Sequence, residues 1–186
     1  MALQEALAGL LSAGPTHGYQ LFSILESELG PAWETRQSQL YLTLARMERD
    51  RLVSGRRLRQ QTLPDRQVLE LTPAGRAAAE RWLRSAEPLS EMVVKLAVAR
   101  IARPELFEDL AALLSDEVAG RLKTLRQLTG TVQSGFQKQA LALDIARRQA
   151  DLRWLTSIRD NAASILAQPR SFRRGRREEV GTEHLA

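Results

Sequence analysis

The helical pattern of residues 36–53 constrains this chain more than any other feature of its sequence. On a wheel of about 100° per residue, apolar side chains share the side that a helix docked on a small core buries: Leu40, Leu44 and Met47. Polar side chains share the opposite side: Gln39, Thr43, Arg46 and Asp50. That polar side is either a solvated surface or the reading face of a recognition helix, because Gln, Thr and Arg reach bases and phosphates in a major groove about 12 Å wide.

A basic hairpin follows this helix directly. Residues 53–59 and 66–71 have the pattern of two short strands, and the turn region between them contains Pro64 and Asp65. Arginine dominates the hairpin, and no acid occurs in residues 51–64. Charges also blunt exposed edge strands, so the hairpin alone is equally compatible with a soluble edge. Helix and hairpin together predict a winged helix-turn-helix, in which one helix enters the groove and the wing meets the flanking DNA backbone.

Two shorter helices are predicted before the recognition helix. The first carries an apolar stripe and stops before Gly14 and Pro15. Thr16 is predicted to cap the second, which ends at Gly30. His17 either donates to a DNA phosphate or orders the turn, and we expect the second role.

The composition favours an anionic partner. The formal charge is +5 and the sequence pI is about 10.4. There is no cysteine, so neither disulfides nor thiol chemistry are available. No run of about 18 apolar residues and no basic-then-apolar signal pattern occurs, so we expect a soluble cytoplasmic protein without a membrane partner.

The second half of the chain has the pattern of long helices. We expect a winged helix-turn-helix domain over residues 1–86, a helical dimerisation domain over 87–168, and a basic, disordered tail over 169–186. Residues 92–101 predict a mostly buried helix. Apolar residues recur in steps of three and four over residues 107–125 and again over 141–165, in one last helix. Such long seams predict a partner helix, and we expect a homodimer.

Patterns for catalysis are lacking in the sequence. The two histidines are His17 and His184, and neither a glycine-rich phosphate loop nor a Ser-His-Asp set is present. We therefore expect no enzyme activity, no metal and no cofactor. Two classes remain, a DNA-binding regulator and a helical protein–protein adaptor. The basic wing beside a polar helix face favours the regulator, because an adaptor does not need that combination.

Double-stranded DNA, as an inverted repeat, is the expected partner of the helix and wing. The candidates for groove contacts lie on the helix: Ser38, Gln39, Thr43 and Arg46. The candidates for backbone contacts lie on the wing: Arg56, Arg57, Arg59 and Arg66. Tyr41 either reaches a phosphate or packs, with packing preferred from its position on the wheel.

Three segments carry a family resemblance: LLSAGPTHGYQL, SQLYLTLARMERDRLV and PDRQVLELTPAGR. They contain, in order, the motifs His17-Gly18-Tyr19, Tyr41-x-x-Leu44 and Leu71-Thr72-x-x-Gly75. In these the chain resembles the PadR family of bacterial transcriptional regulators, with two departures. Leu42 stands where the family often has proline, and Arg51 where it commonly has a helix-ending glycine. The resemblance implies a homodimeric winged-helix repressor.

The resemblance also implies release from DNA by a small aromatic ligand, bound near the dimer helices. The aromatic residues available for such a pocket are Phe107, Phe136 and Trp154. For Trp154, ordinary core packing is the preferred interpretation, because an aromatic ring on a helix seam usually serves as buried area.

Overall fold

The computed structural model describes residues 3–30, 35–58, 66–131 and 134–169 of the chain. The element order within them is α1 (Leu3–Leu11), β1 (Thr16–His17), α2 (Gly18–Leu29), α3 (Gln37–Arg49), β2 (Val53–Leu58), β3 (Arg66–Leu71), α4 (Pro73–Leu83), α5 (Met92–Ala102), α6 (Phe107–Leu128), α7 (Gly135–Asp160) and α8 (Ala162–Ala167). Short 3₁₀ turns, Leu89–Glu91 and Pro104–Leu106, precede α5 and α6. A mainly helical chain with a small β-wing, as predicted, is confirmed.

The sheet has three antiparallel strands in the order β1-β3-β2. The predicted hairpin is its β2–β3 pair, in which Val53 is opposite Leu71 and Leu58 is opposite Arg66. The sequence did not predict β1, in which Thr16 pairs with Leu69. The expectation that Thr16 caps the second helix is therefore wrong: His17 occupies the cap position, without a side-chain capping bond.

Helix α3 buries the predicted apolar side and exposes its flank. Leu40, Leu44 and Met47 are buried, whereas Leu42 is 62% exposed. The helix ends with Arg51 in the left-handed conformation, at φ +57°. The backbone N–H of Arg51 donates to the Glu48 carbonyl at 3.0 Å, and that of Leu52 to the Met47 carbonyl at 2.8 Å. This is a Schellman ending, and it explains why a glycine would suit position 51.

Replacing Arg51 by glycine should stabilise the protein by about 0.5–1 kcal/mol, because a side chain is strained at positive φ and glycine is not. Urea unfolding of the two proteins at equal concentration measures this difference. Arg49→Gly is the matched control, since it removes an exposed arginine from the last turn of the helix and should destabilise. An unchanged or lower midpoint for Arg51→Gly would contradict the strain argument.

One apolar core extends across the predicted domain boundary. Helix α1 packs against both α4 and α5. The approach is close enough that a Cβ on Gly9 would lie 2.5 Å from Cγ1 of Val98. Buried residues on both sides of position 87 belong to a single cluster. The boundary between residues 86 and 87 therefore stays a prediction.

Helix α5 is mostly buried, as expected, and its buried residues include the cations Lys95 and Arg100. Lys95 is fully buried, and its Nζ donates to the carbonyl oxygens of Ser85 at 2.7 Å and Glu87 at 2.6 Å. The same ammonium lies 5.4 Å from the centre of the Trp82 ring. Burial lowers the pKa of Lys95, which the carboxylate of Glu91 partly opposes. Two backbone carbonyls between α4 and α5 thus depend on one lysine.

The seams predicted on the last long helices pack against each other within the chain, as α6 against α7. The α6 seam is buried from Phe107 to Leu122, and α7 buries Leu155. Leu141, Ile145, Leu152 and Ile158 remain only half-buried in the single chain, so the inference that these seams need a partner chain stays a prediction. The prediction of one helix through residue 165 is wrong, since α7 ends at Asp160 and α8 follows Asn161.

Helix α7 carries a second row of apolar residues, which lies about 140° around the helix from the side facing α6. We call it the outer stripe, and it consists of Phe136, Ala140, Leu143 and Ala150. All four are exposed; Phe136 is 84% exposed and Leu143 is 51% exposed. Two of the four are alanines, and exposed Arg147 lies between Leu143 and Ala150 on the same face. Exposed apolar side chains on one helix face are typical of a helix–helix interface.

Candidate nucleic-acid interface

The polar face of α3 stands free of the core. Ser38, Gln39 and Arg46 are exposed, and Thr43 is half-buried. The Thr43 hydroxyl donates to the Gln39 carbonyl at 2.9 Å, which holds its side chain close to the helix. The buried residues of α3 lie on the other side, so these polar groups point away from the protein interior.

The wing continues from α3 after a short turn. Arg56 is exposed on β2. Arg57 is paired with Gln67 and Arg66 with Leu58 in the strand register, and for Arg57 and Arg66 the structure describes the backbone only. Arg59 lies outside the described residues. The structure thus brings the start of the arginine-rich wing next to the polar helix face.

Thr72 and Gly75 join this unit to α4. The Thr72 hydroxyl donates to the Arg51 carbonyl at 2.7 Å and accepts the Gly75 backbone N–H at 3.1 Å, as the N-cap of α4. The Thr72 backbone N–H donates to the Leu52 carbonyl at 3.0 Å. A Cβ on Gly75 would lie 2.0 Å from that same Leu52 oxygen. The Leu-Thr-x-x-Gly motif is therefore a joint that locks the end of α3 against the start of α4.

Tyr41 rests against the start of α2. A Cβ on Gly18 would lie 2.8 Å from Cε1 of Tyr41, so glycine leaves the room that the ring occupies. Tyr41 remains 45% exposed. Its packing role is thus visible in the structure, and a phosphate contact by its exposed part stays a prediction. His17 donates from Nδ1 to the Gln67 carbonyl at 3.1 Å, which agrees with the expected ordering role.

A side-chain bridge that the sequence did not indicate connects the wing to α3. The Gln67 amide donates from Nε2 to both carboxylate oxygens of Glu48, at 3.3 Å and 3.4 Å. It crosses strand β2 above Gly55, where a Cβ would lie 2.0 Å from that nitrogen. A glycine inside a strand pattern marks a close approach, and this was the one available signal.

These elements enclose a groove of about 760 Å³ between α2, α3 and β3. Its walls carry the rings of Tyr19 and Tyr41, the Glu48 carboxylate and the Gln67 amide. Tyr19 is 68% exposed. From α3 the groove is lined by Tyr41, Leu44, Ala45 and Glu48, which lie on the helix away from Gln39 and Arg46.

The three aromatic residues considered for an effector pocket do not come together within one chain. Phe107 is buried at the start of α6, and Trp154 is half-buried and packs on the core. Phe136 is exposed and lies eighteen residues from Trp154 on the same helix, a distance of about 27 Å along the axis. A single pocket in one chain therefore cannot include both Phe136 and Trp154.

No group of three or more His, Cys, Asp or Glu side chains in residues 3–30, 35–58, 66–131 and 134–169 has an arrangement that could hold a metal ion. No helix in that part of the chain is both long enough and apolar enough to span a membrane.

Comparison with known proteins gives consistent matches. Residues 7–81 match the model of the transcriptional regulator PadR-like family. The negative transcriptional regulator PadR of Bacillus subtilis is 31% identical over 91 residues, or 49% of this chain and 50% of that protein. This alignment thus spans half the length of the Bacillus regulator. A probable transcriptional regulator of Mycobacterium tuberculosis is 28% identical over 158 residues, or 76% of this chain and 78% of that protein.

Solved structures match over most of the chain at lower similarity. The crystal structure of Bacillus subtilis PadR with operator DNA is 23% identical, with a TM-score of 0.45, and the match covers 89% of this chain and 99% of that chain. The same protein with p-coumaric acid is 22% identical, with a TM-score of 0.40 and the same coverage.

Proposed function

We propose that this chain, whose residues 7–81 match the model of the PadR-like family of transcriptional regulators, is a homodimeric repressor that binds an inverted-repeat operator. The Bacillus relative is named a negative regulator, which supports repression over activation. Binding occurs in the cytoplasm, and the protein has no catalytic role. The proposed units are the DNA-binding domain 1–86, the dimerisation domain 87–168 and the basic tail 169–186.

The observation that carries this proposal is the joint between the polar helix face and the wing. Arg46 on α3 and Arg56 on β2 are exposed on elements that the Schellman ending and the Thr72 joint hold in a fixed relation. A rigid helix can enter the major groove while a wing fixed beside it meets the adjacent backbone. A protein adaptor has no use for arginines placed in this way.

The side chains then divide by what they contact. Ser38, Gln39, Thr43 and Arg46 read base edges or position the helix in the groove. The wing arginines contact phosphates: Arg56, Arg57, Arg59 and Arg66. Tyr41 packs against the start of α2, and its exposed part is within the candidate contact surface. Phosphate contacts set affinity for every sequence, and base contacts set the preference among sequences.

We also propose, from the family resemblance, that a small aromatic effector releases the protein from DNA. Because Phe136 and Trp154 are far apart on α7, a pocket that uses both requires residues from two chains. An effector acts only if it binds one dimer geometry more tightly than the other.

Selection of bound fragments from a random duplex pool tests the proposed function, followed by titration of two variants on the selected site. Arg56→Ala should weaken binding to all sequences and reduce the slope of log affinity against log salt by about 1. Gln39→Ala should leave that slope unchanged and relax the preference at one base position, at a cost of about 1–3 kcal/mol. If the wild-type protein enriches no sequence, the proposed function is wrong and the adaptor interpretation gains support.

A further inference from the structure

Gln67 is at the centre of three contacts that meet where the wing leaves the core. Its side chain donates to Glu48 on α3, and its backbone carbonyl accepts from His17 at the start of α2. Its backbone is also paired with Arg57 in the β2–β3 register. One residue therefore touches every element that the proposed function places on DNA.

The position of this residue explains why a polar bridge is needed there. Alternate residues of a strand share a face, and on β3 the face that holds Gln67 continues to Leu69 and Leu71. Those two leucines are buried against the core, whereas Gln67 is exposed. The apolar packing of this face therefore ends at Leu69, two residues from Gln67 along the strand. Beyond that point, strand pairing alone does not set the angle between the wing and α3, because sheets twist and bend easily.

The bridge also gives the Glu48 carboxylate a hydrogen-bond donor. Glu48 is exposed on the helix that the proposed function places in the major groove, where a carboxylate repels phosphates and is unfavourable for binding. The Gln67 amide donates to both of its oxygens, so the carboxylate has a hydrogen-bond partner within the protein. Gly55 leaves the space through which the amide reaches Glu48, since a Cβ there would lie 2.7 Å from Glu48 Oε1.

We propose that the Gln67–Glu48 bridge, which passes over Gly55, is a positioning device that fixes the wing against the recognition helix so that the wing arginines reach phosphates. This inference rests on the proposed function. Gln67 acts through the wing and reads no base itself.

Two variants break the bridge in different ways. Gln67→Ala removes the donor. Gly55→Ala places a methyl group where the amide lies, and the end of a flexible glutamine can move aside without unfolding the sheet. Gln127→Ala and Gly120→Ala are the matched controls, since Gln127 is exposed on α6 and a Cβ on Gly120 meets open space.

On the selected operator, each bridge variant should weaken binding about 3–10-fold and reduce the salt slope by about 1, although neither removes a charge. Base preferences should stay unchanged, and the double variant should be no weaker than either single one. An unchanged salt slope with an altered preference at one base would overturn the proposal and make Gln67 a reading residue. Additive losses would overturn it as well.

Amide hydrogen exchange in the DNA-free protein tests the role of the bridge without relying on operator binding. Both bridge variants should speed exchange in β2 and β3 while α1 stays protected, and neither control should speed exchange in either strand. Unchanged exchange in β2 and β3 would overturn the proposal that the bridge positions the wing. If the wild type selects no duplex, the proposed function fails, and the exchange result still decides whether the bridge orders the wing.

Discussion

Replacing Leu143 by glutamate should convert the protein to monomers and weaken binding to an inverted-repeat operator by about 100-fold or more. Leu143 is in the middle of the outer stripe of α7 and is 51% exposed in the single chain. A dimer that packs two such stripes together would bury it, and a buried unpaired carboxylate is strongly unfavourable. Two half-sites held by separate monomers lose the high effective concentration that a dimer provides.

Ala142→Glu is the matched control for this variant. Ala142 is the preceding residue on α7, it is also exposed, and it lies away from the outer stripe. It introduces the same charge on the same helix and should leave the dimer intact. Light scattering and operator titration together measure both effects. A Leu143→Glu protein that remains a dimer would place the interface on another surface.

Gly75→Ala should destabilise the protein by about 2–4 kcal/mol. The new Cβ would lie 2.0 Å from the Leu52 carbonyl oxygen, which is backbone and cannot swing aside. Helix α4 would have to move, and with it the Thr72 hydroxyl that caps this helix and holds the Arg51 carbonyl. Overpacking typically costs about 1–3 kcal/mol and a lost cap about 1 kcal/mol.

Gly120→Ala is the control for that substitution, because its Cβ meets open space on α6 and alanine favours a helix by about 1 kcal/mol. Urea unfolding should therefore move in opposite directions for the two variants. If Gly75→Ala keeps the wild-type midpoint, the close approach at Leu52 is not what requires glycine there.

The features that follow from local periodicity were predictable from the sequence. The buried side of α3 repeats every three or four residues, so Leu40, Leu44 and Met47 identify it without knowledge of the rest of the fold. The β2–β3 hairpin was equally accessible, since its two strands are adjacent in sequence and alternate in character.

The features that depend on distant partners were not predictable. Thr16 forms a strand only because Leu69 is there to pair with it, and its own neighbours favour a helix cap. In the sequence, Lys95 is only a polar residue within an apolar helix. Its role depends on the carbonyls of Ser85 and Glu87, which its ammonium reaches in the folded chain. The bridge from Gln67 to Glu48 likewise joins residues whose separation no short motif reveals.

The packing of α5 on α1 limits where this chain can be cut and joined to another protein. Gly9 against Val98, together with the ion pair between Glu28 and Arg100, ties α5 to the first two helices. A recombination or grafting event that cuts the chain at residue 86 would separate α5 from the surfaces that fit it. The portable unit, for evolution and for an engineer who wants to transplant the DNA-reading surface, therefore includes α5 and ends near residue 102.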